Sequence, residues 1–194
     1  MEFGIAAGQP QGVTGRQRCV GQGREELQLG AEGPKNVTMT AEIADGWLPL
    51  YYSPFRQDVY ADYLKDAKPG FEVTAMANIT ITDDIEAGLY PVKAALGFYI
   101  GGMGAKGKNF HTDLMARMGY EDEAYRIQDL FFEGKRDEAI ALVPTEFADE
   151  ISLVGPPGRI KERLEVWKDS PVTTVTMYPS SPDQLRQAAE IILS

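Results

Sequence analysis

The chain has one cysteine, Cys19, and one histidine, His111. That excludes an intramolecular disulfide and leaves no cysteine and histidine cluster for zinc, which suits a reducing, cytoplasmic setting. Basic residues are in deficit: 19 Lys and Arg face 29 Asp and Glu, a net charge of −10. A general electrostatic attraction to nucleic acid or anionic lipid is thereby excluded, and any phosphate must be gripped locally. No apolar run reaches the roughly 18 residues of a membrane span, and the N-terminus lacks a basic stretch followed by an apolar one. The triplets at Asn36 and Asn78 match the glycosylation sequon, which carries weight only in a secreted chain.

What remains is 194 residues, 43% of them hydrophobic, enough for one ordinary domain with a segment to spare. Residues 1–25 are rich in Gly, Gln and Arg and show no period beyond a short apolar start. They are expected to be a disordered or non-native leader, with the composition changing near residue 25. From there strands and helices alternate. "ELQLGA" (26–31) predicts a short strand, Pro34 opens a helix with Val37, Ala41 and Ala44 at helical spacing, and Gly46 is expected to cap its end. "GWLPLYY" predicts a strand, Pro54 to Lys68 a helix, and "FEVTAMANITIT" (71–82) the longest strand.

Asp83 with Glu86 marks the start of a helix running to about Gly101, bent or interrupted at Pro91. Short helices over 109–118, 122–133 and 136–143 follow, broken at Gly119, Gly134 and Pro144. An amphipathic helix with Ile160, Leu164 and Trp167 on one face leads to the strand "VTTVTMY" (172–178), and Ser181-Pro182 begins the last helix. The reading is about four βα units with a helical insertion before the last strand. Such alternation implies a parallel sheet, open and doubly wound or part of a (β/α)8 barrel. A complete barrel takes about 250 residues, so four units resemble half of one.

Two stretches resemble phosphate sites. In "YIGGMGAKGKNF" (99–110), Gly102, Gly104 and Gly107 spell the dinucleotide pattern, and Gly102, Gly107 and Lys108 nearly complete a P-loop with Asn109 in place of Ser or Thr. Both motifs require a strand entering the glycines, whereas here a helix does. The stretch therefore reads as a glycine connector, with Asn109 capping the next helix, and at most as a mobile loop whose Lys106 and Lys108 meet an anion. "LQLGAEGPKN" (27–36) has the required order of strand, small residues and helix start, and Lys35 adds a positive charge. Its amides and helix dipole would favour an anion by roughly 0.3–1 kcal/mol, up to about 2 when partly buried. The same spacing equally describes an ordinary βα turn.

The string "LGAEGPKNVTMTAEIADGWLP", followed in order by "YSP" (52–54), "VTAMANITITDD" (73–84), "FYIGGMGAKGKNFHTDLMARMGY" (98–120) and "LVGPPGRIKERLEVW" (153–167), resembles the luciferase-like monooxygenase superfamily. Within it the string resembles the F-420-dependent oxidoreductase branch. The resemblance implies a TIM barrel, of which this chain corresponds to about the last half. It also implies a deazaflavin coenzyme F-420, or FMN in monooxygenase relatives, exchanging a hydride with a small-molecule substrate at the carboxyl ends of the strands. The coenzyme-binding loop would be Gly30, Ala31, Glu32, Gly33 and Asn36. Hydride transfer to a bound coenzyme needs no protein nucleophile, in keeping with the absence of a Ser-His-Asp or metal constellation.

Tyr52, Ser53, Arg56 and His111 are candidates to line the substrate pocket: the first three follow a strand end, and His111 has a pKa suited to proton transfer. Trp47 and Tyr51 share that strand end. No catalytic acid or base is assigned. The expectation is a truncated copy of such an enzyme. Half a barrel also leaves open sheet edges and apolar strand faces, so homo-oligomerisation is expected, or else an inactive barrel fragment.

Overall fold

The computed structural model describes residues 2–5 and 26–193, the first four as backbone alone; the remainder of the expected leader lies outside the described residues. The chain divides into two units: residues 1–77 with 166–178, and residues 78–165 with 179–194.

In the first unit the sheet order is β1 (Glu2–Ile5), β6 (Thr174–Pro179), β4 (Glu72–Ile81), β3 (Gly46–Leu48) and β2 (Gln28–Gly30). β1 runs parallel to β6, β2 to β3 and β3 to β4. Parallel neighbours require crossovers, and helices α1 (Pro34–Ile43) and α2 (Asp58–Leu64), the latter entered through a 3-10 turn at Pro54–Arg56, supply two of them. β4 alternates from Glu72 to Thr80. Val73, Ala75, Ala77 and Ile79 are buried, while Thr74, Met76 and Thr80 are half-buried and Asn78 is exposed. β6 repeats the pattern with Val175 and Met177 buried and Thr174, Thr176 and Tyr178 half-buried. The less buried strand face is thus largely polar, where an apolar one was expected.

Gly46 does not cap α1. It is the first residue of β3, where a Cβ would lie 2.9 Å from the Glu72 carbonyl oxygen and 3.1 Å from Gln28 Cγ. The helix end is satisfied otherwise: the Ala44 amide donates to the Thr40 carbonyl (2.9 Å), and Lys68 Nζ donates to the carbonyls of Ile43 (3.2 Å) and Ala44 (3.3 Å).

In the second unit α3 (Ile85–Gly102) runs unbroken through Pro91. Its cap is Asp84 and not Asp83: the Asp84 side chain accepts from the Ala87 amide at 3.0 Å. Helices α4 (Phe110–Arg117), α5 (Glu121–Phe132), α6 (Arg136–Leu142) and α7 (Thr145–Glu150) follow. They lead to a strand the periodicity did not reveal, β5 (Ser152–Gly155), parallel to the second half of β4. Four residues buried throughout carry no alternation to read. Its one hydroxyl, on Ser152, donates to the Ala148 carbonyl at 2.7 Å. The helical excursion therefore precedes β5, and the last strand comes one βα unit later, after α8 (Pro157–Lys168). α9 (Pro182–Leu193) closes the chain, with Ser181 Oγ accepting from the Gln184 amide at 3.2 Å. Among the described residues no helix is long and apolar enough to cross a membrane.

Candidate functional site

β2 ends at Gly30 and α1 begins at Pro34, so the loop Ala31-Glu32-Gly33 delivers the chain from the carboxyl end of a parallel strand into a helix. Gly33 is the helix N-cap, with φ −82° and ψ 151°. No side chain caps this helix, and its first turn holds no acidic residue. Pro34 has no amide hydrogen and the Val37 amide donates to the Gly33 carbonyl at 3.0 Å. The first turn therefore presents the amides of Lys35 and Asn36, two exposed residues.

Two bonds fasten this loop to the one after β3. The Trp47 indole Nε1 donates to the Ala31 carbonyl at 2.8 Å, and the Leu50 amide donates to Glu32 Oε1 at 3.0 Å. Glu32 thus commits its carboxylate to the neighbouring loop. Tyr51 follows with φ +58°, the one non-glycine residue with positive φ among the described residues.

The next residues are packed inside this unit. Tyr52 is 1% exposed, stacked on Tyr60 (5.4 Å, 18°), edge-on to Trp47 (6.2 Å) and tilted against Trp167 (6.3 Å). Burial pushes its phenol well above the ordinary tyrosine range. Ser53 is fully buried, its Oγ accepting from the Phe55 amide at 3.2 Å and so capping the 3-10 turn. Arg56 ends that turn, half-buried.

Gly30 to Gly33, Asn36, Tyr52, Ser53 and Arg56 belong to the first unit; His111 belongs to the second. It sits in the first turn of α4, its amide donating to Asn109 Oδ1 (2.9 Å) and its ring edge-on to Tyr99 (5.1 Å). Burial lowers its pKa.

Each glycine of "YIGGMGAKGKNF" has a packing or backbone explanation; at Gly104 a Cβ would lie 2.6 Å from the Lys108 carbonyl oxygen. A Cβ on Gly101 or Gly102 would lie 2.6 Å or 2.5 Å from atoms of Phe131, so the two glycines let α5 sit close on α3. At Gly107 φ is +72°, a turn conformation that favours glycine. Asn109 caps α4 as expected and also ties it back, its Nδ2 donating to the carbonyls of Tyr99 and Ile100 at 2.8 Å each. The loop is held: the Gly107 amide donates to Gln128 Oε1 (3.0 Å) and Lys106 pairs with Asp129 (2.6 Å). Lys108 is exposed.

A polar cleft of about 210 Å³ lined by Glu26, Asp45, Lys68 and Glu72 lies where β2, β3 and β4 begin, at the opposite strand ends from the α1 N-terminus. Ligands of parallel α/β folds bind at carboxyl ends, which favours the Gly30–Asn36 loop. The bonds Trp47–Ala31 and Glu32–Leu50, and the left-handed Tyr51, escaped sequence reasoning. Residue type announces none of them.

A protein of Mycobacterium tuberculosis that bears the name of a coenzyme F-420-dependent oxidoreductase is 39% identical over 175 residues, which take in 86% of this chain and 50% of that protein. Among solved structures, the coenzyme F-420-dependent tetrahydromethanopterin reductase of Methanopyrus kandleri superposes with a TM-score of 0.63 at 22% identity, over 86% of this chain and 48% of that one. An F-420-dependent secondary alcohol dehydrogenase, solved with an F-420-acetone adduct, gives a TM-score of 0.52 at 16% identity, over 86% and 46%. The two structures carry the fold: parallel α/β of the TIM-barrel kind. The chain spans about half the length of the relatives it matches. The model of the luciferase-like monooxygenase family matches residues 7–174, the greater part of the sequence, and the chain belongs to that family.

Proposed function

We propose that this chain forms part of an oxidoreductase that exchanges a hydride between coenzyme F-420 and a small organic substrate. The observation that carries the reading is the uncapped N-terminus of α1 at the carboxyl end of β2. Amides at such a terminus, a local lysine and a missing acidic first turn suit a phosphate on an otherwise acidic protein. The 39% identity to a protein named for F-420 supports the choice of coenzyme.

The residues present fit the phosphate end of that coenzyme. Lys35 and Asn36 supply amides, Gly30 and Gly33 allow close approach, and Lys35 adds charge. Glu32, held by the Leu50 amide, serves to fix the loop. The bound coenzyme supplies the hydride acceptor, and the protein's part is to hold and orient it. Arg56 is proposed to meet the substrate. A cytoplasmic location and a homo-oligomer belong to the same reading.

Fluorescence titration of the chain with F-420 and with FMN tests it. Binding of F-420 that weakens about tenfold in Lys35→Glu is the expected result, a change of about 1.4 kcal/mol. Binding of FMN without F-420 would transfer the chain to the monooxygenase reading, and binding of neither would favour an inactive fragment.

A further inference from the structure

α3 is apolar on every side. Among its 18 residues only Glu86 and Lys93 are charged. It packs against α4, α5, α6, α7 and β5, and its Leu89, Val92, Leu96 and Ile100 are buried. The outward side is no more polar. Ala87, Pro91, Phe98 and Gly102 are exposed, and at about 100° per residue they fall within roughly 60° of one another. Tyr90 flanks them, 59% exposed, and Phe98 is 49% exposed. A helix apolar all round belongs in an interior, so this face lacks its cover.

The two ends of the face differ in sign. Asp83 and Glu86 are exposed at the N-terminal end. Toward the other end Phe98 lies edge-on to Phe131 at 6.1 Å, and the Arg136 guanidinium sits 5.2 Å over that second ring. Arg136 and Lys108 are exposed, whereas Lys106 is engaged with Asp129. A face that is acidic at one end, basic at the other and apolar between complements itself when reversed. On a chain of net charge −10, whose copies otherwise repel, that self-complementarity selects the occupant.

We propose that the outward face of α3 is a contact between two copies of this chain, related by a two-fold axis and crossing antiparallel near Ala94. Tyr90 and Phe98 stand four residues either side of Ala94, so each Tyr90 meets Phe98 of the second copy. Asp83 and Glu86 then come to the end where the second copy carries Arg136 and Lys108. The proposal gives the homo-oligomer of the reading above its contact face; it rests on that part of the reading and not on the coenzyme.

Sedimentation velocity of the full chain across a concentration series tests it. Wild type is expected to sediment as a dimer, and Phe98→Asp to raise the dimer dissociation constant at least tenfold. Glu86→Arg and Arg136→Glu, both at exposed positions, each set like charges together and should weaken the dimer about tenfold. Mixing those two variants restores both ion pairs of an antiparallel dimer, so the mixture should dimerise as wild type does. Dimers unaffected by Phe98→Asp, or a mixture no stronger than its components, overturn the proposal while the homo-oligomer stands. A wild-type chain that stays monomeric, leaving the face to another polypeptide, overturns both.

Discussion

The Glu32 carboxylate accepts the Leu50 amide proton at 3.0 Å, joining the loop after β2 to the loop after β3. An acidic side chain beside a proposed phosphate contact would be unfavourable if it faced the anion. Bound to a main-chain amide of the next loop, it becomes a brace.

Removing that brace leaves a part-buried amide without its acceptor, so Glu32→Ala should lose about 1–3 kcal/mol of stability in urea unfolding, and Glu32→Gln, which keeps a carbonyl acceptor, distinctly less. Equal losses in the two variants would deny the bond its structural role.

The glycines of residues 101–107 are predicted to act through packing and backbone only. Gly102→Ala forces a methyl into the Phe131 ring, 2.5 Å from Cε1, at a cost of about 1–3 kcal/mol. Gly107→Ala meets no atom within 4 Å but must hold φ at +72°, costing about 1–2 kcal/mol. Neither should change F-420 affinity. A tenfold loss on Gly107→Ala would return this stretch to the phosphate site.

Burial keeps the His111 imidazole neutral below its ordinary pKa of 6.5. The unfolded chain therefore takes up a proton first as pH falls, and stability is lost from about 6.5 downward until the folded-state pKa is reached. Unfolding midpoints measured from pH 7.5 to 5 should fall more steeply in wild type than in His111→Gln; parallel curves would contradict the buried imidazole.

Tyr52 behaves oppositely. Its phenol is raised above 10.0 by burial, so the unfolded chain ionises first as pH rises and stability is lost above about pH 10. Tyr52→Phe should flatten the unfolding curve between pH 9 and 11 relative to wild type. An unchanged slope would mean that the Tyr52 hydroxyl is solvated.

The sequence carried the alternation of elements well, because alternation is local. β4 is long enough to display a period of two, and Asn109 and Ser181 announce helix starts by their chemistry. Where the reading slipped, the cause was equally physical. β5 is four buried residues with no exposed face to set a pattern, and Asp83 and Asp84 are chemically equivalent cap candidates decided by backbone geometry. Gly46 looked like a cap because a glycine needed for close strand packing has the same letter as one needed for a turn.

Local order and chemistry, readable along the chain, determined the parallel α/β class, the motifs that resemble the family, and the glycine loop leading into α1. Tertiary structure alone decided which polar groups in that loop are engaged. It turned Glu32 toward Leu50 and joined Trp47 to Ala31. It also packed Tyr52 and Ser53 inside while holding Tyr51 left-handed beside them. Those outcomes depend on contacts between residues 16 to 18 positions apart and on a backbone angle that no residue type encodes.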